Sequence, residues 1–484
     1  MSKKNKNITE FRTFGRTVLY TNADSIDENN VVKELNKIVP THTKNVGEIK
    51  YLYEYYKGRQ PIINRQKNIR PEICNKIVEN RANEIVSFKT GYLVGEPIQY
   101  VSQSPENSKQ IERLNSFLLL ENKATKDTKL CDWQNICGTA YRMILPNKDY
   151  DDDSSPFDLY TLDPQTAFVV YSSKIGNAPM FCGYTYKENN VTTTYCVYTK
   201  DRYFEIKSGK IIRQDKYTLG ILPIVEYPAN EARLGSFEIV IDILNSINLF
   251  SSNRLDGIEQ FIQSLIVLKN FELPDGKNVN DMRESGFIQL ISTGQAGTEA
   301  DIKILAEQLD QTQNQTLKDD MYQTVLTIVG MPSQGTGASD SSNNGAVILK
   351  NGWQSAEARA KKSEAIWRES ETEAIRVMLR ICRDLTDMNI VVSDISVKFT
   401  RRNYADMATK AQVLVSLLNN GKVAPIDSYT ICGLFADPEE ACSRGLKYYE
   451  EQGKKEQEQP QETVTDDTTI QSVDNGMDNA TDIT

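Results

Sequence analysis

Three adjacent carboxylates, Asp151, Asp152 and Asp153, are where this chain could gather a hard divalent cation on oxygen ligands. A metal-dependent nuclease needs acids converging from several elements, however. Neighbouring acids ahead of Ser154-Ser155-Pro156 read instead as a solvated loop. The sole histidine, His42, has no second imidazole to work with and is expected at the surface or at a helix start. Eight cysteines (Cys74, Cys131, Cys137, Cys182, Cys196, Cys382, Cys432, Cys442) are scattered without a CxxC pair or zinc spacing, which suits reduced, mostly buried thiols of a cytosolic product. No GxxxxGK[ST], GxSxG or HExxH occurs, and the run GTGASD lacks the third glycine of a dinucleotide fingerprint. Metal and cofactor are therefore both expected to be none, and no residue is expected to be catalytic. A carboxylate nuclease and a cellular helical scaffold or adaptor stand as the alternatives.

Charge narrows the partners. The formal net charge is −10, but residues 456–484 hold eight acids and no Lys or Arg, so the rest totals −10 + 8 = −2. The tail is expected to be disordered. A nearly neutral body does not grip nucleic acid by phosphate neutralisation, so any DNA partner must be handled loosely. The start, MSKKNKNITEF, lacks the apolar run of a secretion signal, and no apolar stretch of about 18 residues could span a membrane.

The elements that would position functional residues follow from periodicity. Residues 27–56 are helical in pattern, with Asn45 and Glu48 spaced as a capping box. Residues 72–89 read as a second helix, 108–121 and 125–137 as a pair, and TAYRMIL as a strand. Between 151 and 228 the period changes to two, giving a β-rich module. Residues 236–268 form an amphipathic helix in which Val240, Leu244, Ile247, Ile258, Ile262 and Leu265 share one side. Glu238, Asp242, Asn245, Ser252, Asp256, Gln260 and Gln263 share the other, whose formal charges are all negative. A short excursion with strands at FIQLIS and DIKIL precedes a helix over 308–329. After the helix stop Met331-Pro332 comes a polar loop, 333–344, and then a proline-free run. If helical over 346–387, that run makes a rod of about 60 Å, with Gly352 expected as a bend and Ile366, Trp367, Ala374, Met378, Ile381 and Leu385 as contact residues. ISVKFTRRN reads as a strand, followed by helices over 406–419, 425–435 and from Pro438 toward 451, the last capped by Asp437.

The order and spacing of IKYLYEYYKGRQPI, NKIVENRANEIVSFKTGYLVGEPIQY, CGTAYRMI with YTLDP, GILPIVEYPANEARLGSFEIVIDIL, NNGAVILK and ISVKFTRRN resemble the portal proteins of tailed bacteriophages, of the siphovirus type from phages of Gram-positive bacteria. The resemblance runs from about residue 48 to 450. It implies an α+β, mainly helical portal fold: a wing over 1–235, stem helices at 236–268 and 308–330, a β-containing clip at 269–307 and a tunnel loop at 331–345. A long spine helix and wing strand at 346–400, a helical crown at 401–455 and the acidic tail at 456–484 complete it. It also implies a ring of about twelve copies at one capsid vertex of a virion, assembled in the host cytoplasm. Double-stranded DNA would be packaged and ejected through that ring. The implied partners are the terminase large subunit, the major capsid and scaffolding proteins and a head-tail adaptor, with no membrane. Carried onto this chain, Ser333, Gln334, Gly335, Thr336, Gly337, Ser339, Asp340, Asn343 and Asn344 become the DNA-facing loop. On charge grounds Glu238, Asp242 and Asp256 are candidate channel-lining acids, which would repel phosphate from all sides and keep DNA centred, the rival placement being that this polar face points to outer solvent or to a neighbouring subunit.

Overall fold

The computed structural model describes residues 13–458 apart from 69, 152, 189–191, 263–264, 270, 273–290, 293–300, 306–310, 333–351, 401–403 and 436–437. Two compact units divide the chain, Met1–Arg402 and Asn403–Thr484. The first mixes helices and sheets, with more of its residues in helices than in strands.

In that unit the helix α1 (Val31–Tyr56) serves two cores. Val31, Leu35 and Ile38 pack with Phe168, Phe181 and Phe204 of a sheet, while Ile49, Leu52 and Tyr55 pack among helices. The helix tolerates Pro40 in its interior despite one lost backbone bond, because both halves are anchored by burial. The expected capping box does not exist: Asn45 and Glu48 are buried within the helix. Thr17 N donates to Asn45 Oδ1 at 3.0 Å, Asn45 Nδ2 donates to Thr17 O at 2.8 Å, and Arg16 Nε donates to Glu48 at 3.0 Å. An N-terminal segment thus claims side chains that the sequence assigns to a helix start. His42 is likewise neither exposed nor terminal; it is buried with its ring centroid 5.3 Å from that of Phe168.

The period-two runs become β4 (Phe157–Leu162), β5 (Ala167–Ser172), β6 (Pro179–Glu188), β7 (Thr192–Tyr198), β8 (Arg202–Lys207), β9 (Lys210–Lys216) and β10 (Ile224–Pro228). Hydrogen bonding splits them between a six-stranded sheet, β1(Leu19–Thr21)-β5-β6-β7-β8-β9, and a three-stranded one, β10-β3(Thr139–Pro146)-β4. β1 runs parallel to β5 and the other pairs are antiparallel. Tyr141 and Met143 of one sheet pack with Val169, Cys182 and Tyr198 of the other.

The helix expected over 72–89 is shifted: α2 spans Arg81–Val94. Residues 75–80 before it are not helical, and Asn80 takes a left-handed conformation, φ 40°. α3 (Ser108–Leu120) and α4 (Lys123–Cys137) stand where periodicity puts them. β2 (Gln99–Ser102) pairs antiparallel with β15 (Ile395–Lys398), joining segments far apart in the chain.

α5 covers Ile241–Ile262 after a short 3-10 turn at Glu238–Val240, so the amphipathic helix ends earlier than 268. Leu265–Lys269 is instead a strand, β11, paired antiparallel with β14 (Asp301–Leu305), and β12 (Phe271–Glu272) pairs with β13 (Ile291–Ser292), the last two residues of FIQLIS. α6 spans Gln311–Val329 and α7 spans Trp353–Leu385, 33 residues or about 50 Å. Gly352 is not a bend inside the rod but the residue before it, at φ 76°, a left-handed value that ends a right-handed helix and suits glycine. Residues 346–351 of the expected rod lie outside the described residues. α7 buries Trp367, Ala374, Met378 and Ile381, whereas Leu385 is exposed.

The second unit contains α8 (Tyr404–Leu418), α9 (Pro425–Cys432) and α10 (Pro438–Glu458). Pro438 opens α10 with Glu439 and Glu440 in its first turn, where acids favour the helix N-terminus. Asp437 and the tail beyond 458 lie outside the described residues.

Candidate functional site

The polar face of α5 carries Asn248, Ser252 and Asp256, one helical turn apart and all buried. An extended strap over residues 75–79 lies along them. Asn75 N donates to Asp256 Oδ1 at 2.7 Å, Ile77 N to Ser252 Oγ at 2.9 Å and Glu79 N to Asn248 Oδ1 at 2.9 Å. Two residues of extended chain rise about 6.6 Å and four residues of helix about 6.0 Å. The two periods therefore match, and each alternate backbone N–H meets the next acceptor down the helix. Strap N–H groups that would otherwise be stripped of water are satisfied by the neighbouring helix, not by a sheet.

Asp256 is the anchor. It also receives Asn75 Nδ2 at 2.9 Å, Lys67 Nζ at 3.1 Å and Arg65 Nη2 at 2.9 Å. Burial pushes its pKa up, but the two Asn75 donors together with Lys67 and Arg65 outweigh that and hold it below the usual carboxylate value. The strap's far end is held to α6, where Lys318 Nζ lies 2.5 Å from Glu79 Oε1.

Glu238 is also buried. Arg16 Nη2 donates to its Oε1 at 2.7 Å, Gly15 N to the same oxygen at 2.9 Å and Gly235 N to Oε2 at 2.9 Å. Glu238 and Asp256 are thus each spent on the chain's own cations and N–H groups, because a buried carboxylate must be paired. Asp242 differs. It is exposed, in an open groove lined also by Tyr51, Asn245 and Leu249. The nine tunnel-loop residues from Ser333 to Asn344 lie outside the described residues.

Sequence reading missed the network that seats α7. Glu371, fully buried, receives Tyr100 OH at 2.8 Å on Oε1 and Tyr227 OH at 2.8 Å on Oε2. Lys123 Nζ lies 3.1 Å from Oε1 and Arg142 Nη1 3.3 Å from Oε2. Asp127 completes the charge balance against Lys123, at 2.7 Å, and Arg142. Burial raises the Glu371 pKa, and the cations and hydroxyls reverse this, leaving it well below its ordinary value. Only the helical i, i+4 spacing of Lys123 and Asp127 hinted at it.

Asp151 and Asp153 belong to a turn in which Asp153 N donates to Asp151 Oδ1 at 3.2 Å. Among the described residues no group of three or more His, Cys, Asp or Glu is placed to hold a metal ion. All eight cysteines are free thiols; seven are buried, and burial pushes Cys131, Cys137, Cys182 and Cys382 up to about 12. No described helix is long and apolar enough to cross a membrane.

Helices and sheets are mixed in this fold, which is of the portal type. Residues 35–474 match the family model "Phage portal protein, SPP1 Gp6-like", and the chain belongs to that family, which is structural rather than catalytic. Among solved structures it is similar to chains from the neck of an empty GTA particle computed with C6 symmetry (13% identity, 73% of this chain and 90% of that chain, TM-score 0.42). It is also similar to chains from the neck of a native GTA particle computed with C12 symmetry (11% identity, 74% and 92%, TM-score 0.41) and from the virion of a native gene transfer agent (12%, 73% and 90%, TM-score 0.39). No curated protein matches it.

Proposed function

We propose that this portal protein, of the siphovirus type from phages of Gram-positive bacteria, assembles about twelve copies into a closed ring by a head-to-tail interface. The ring serves as the conduit through which double-stranded DNA is packaged and ejected. It docks the terminase motor and later the head-tail connector, and sits among major capsid and scaffolding proteins at one vertex. The family match over residues 35–474 carries this reading. Charge supports it: a body of net charge near −2 lets DNA slide where a basic bore would hold it by counterion release. Of the three acids, Asp242 is the one whose exposure fits a bore. Residues 333–344 supply the DNA-contacting loop, their Gly and Ser content giving backbone freedom.

Electron-microscopic imaging of the purified full chain is the test, and rings with an open centre are expected. Discrete monomers that cleave DNA only with a divalent cation would overturn the reading in favour of a nuclease. Deleting residues 335–343 should leave rings intact and lower the yield of filled heads, while full heads at normal yield would remove the loop from the proposal.

A further inference from the structure

A cavity of about 400 Å³ lies where α6 ends and α7 begins, walled by α2 and α4. Its charged lining is Lys89, Arg359 and Lys362; no carboxylate lines it among the described residues. The neutral polar groups there are committed. Gln134 Nε2 donates to Pro228 O at 3.0 Å, Asn135 Nδ2 to Cys131 O at 3.0 Å, and Asn230 exchanges bonds with the Leu234 backbone at 2.9 and 3.0 Å. Arg359 is committed too: its Nη1 and Nη2 donate to Ile328 O at 2.5 Å and Thr327 O at 3.2 Å, closing the carbonyl end of α6. Gly330 beneath it takes φ +73°, a left-handed value that favours glycine.

Lys89 and Lys362 remain. Neither ammonium has a hydrogen bond or ion pair among the described residues. Both line the cavity, Lys362 exposed on α7 and Lys89 partly buried on α2. Burial and, secondarily, the Arg359 guanidinium push the Lys89 pKa down to about 8. From α4 the one opposing group is Cys131, a thiol that burial keeps neutral. Asp132 on the same helix is engaged with Thr90, and Tyr92 OH on α2 donates to Glu357 Oε2 at 2.9 Å. A partly buried ammonium at a cavity wall without a facing anion is a cost that an anion from solution would relieve.

We propose that this cavity is a binding site for a compact tetrahedral oxyanion of the phosphate or sulfate type, with Lys89 as the partly buried donor and Lys362 as the exposed one. A dianion balances both lysines, where a single carboxylate would balance one. The site is a property of each chain and stands apart from the ring reading.

Calorimetric titration of the purified full chain with sodium sulfate, at ionic strength held constant with chloride, tests it. One saturable site per chain is expected, with inorganic phosphate competing. Lys89→Met should weaken binding at least about tenfold, the worth of a charge-assisted hydrogen bond, while Lys89→Arg retains it. Lys362→Gln, at an exposed position that spares the fold, should weaken it about threefold. Sulfate keeps its charge between pH 7 and 9, so wild-type affinity should fall as the Lys89 amine deprotonates, and that of Lys89→Arg should stay level. Absence of saturable binding, equal affinity in wild type and Lys362→Gln, or a pH profile unchanged by Lys89→Arg overturns the site. Displacement of sulfate by a short DNA duplex but not by inorganic phosphate overturns the small-anion assignment.

Discussion

Arg16 and Glu238, 222 residues apart in the chain, meet at 2.7 Å with each side chain 1% exposed. The same guanidinium reaches Glu48 at 3.0 Å, so one cation joins the N-terminal segment, α1 and the turn that leads into α5. Arg16→Met should strand two buried carboxylates and cost about 3–5 kcal/mol. Equilibrium urea unfolding reads this directly, and adding Glu238→Gln to Arg16→Met should restore part of the loss. A midpoint unchanged by Arg16→Met would show that the junction tolerates unpaired charge.

The strap makes a local prediction. Removing its anchor in Asp256→Ala leaves the Asn75 donors and two cations without their acceptor, and Asn248→Ala frees the N–H of Glu79. Amide exchange at residues 75, 77 and 79 should quicken in the first variant and at 79 in the second, with losses of about 1–3 kcal/mol each. Equal protection in both variants and wild type would place the strap's stability elsewhere.

Glu371 titrates in the opposite sense to most buried acids because its partners outweigh burial. Its pKa is lower folded than unfolded, so its contribution is complete above the unfolded value of 4.5 and is lost as pH falls below it. Glu371→Gln leaves Arg142 and Lys123 undercompensated and should cost about 3–5 kcal/mol at pH 7. Denaturation curves between pH 3 and 7 should also show a shallower acid slope for the variant, and parallel slopes would count against the network.

His42 adds a second acid dependence. Burial lowers its pKa from 6.5 to about 4, so the folded chain keeps it neutral while the unfolded chain protonates it. Stability from this group is complete above pH 6.5 and falls between 6.5 and 4, by about 2 kcal/mol at pH 5. His42→Leu should remove that increment from the difference between pH 7 and pH 5, which guanidinium titrations at the two pH values can measure.

Sequence alone determined which segments have intrinsic structure. The alternating runs of β4 to β10 and the periodic helices α3, α4 and α6 stand close to where local pattern puts them, because side-chain period is a property of neighbouring residues. The charge balance and the portal family resemblance were legible for the same reason. What tertiary structure decided is where pattern has two readings. KIVENRANEIV has helical spacing, yet half of it is strap, since Asn248, Ser252 and Asp256 offer its N–H groups partners that sequence distance conceals. The same contacts bury Asp256, which the sequence places on an acidic helix face beside the exposed Asp242. Glu238, Asp256 and Glu371 are equivalent to any surface acid in the sequence; only long-range contacts supply the cations that let them be buried, and no local pattern encodes a contact across 222 residues.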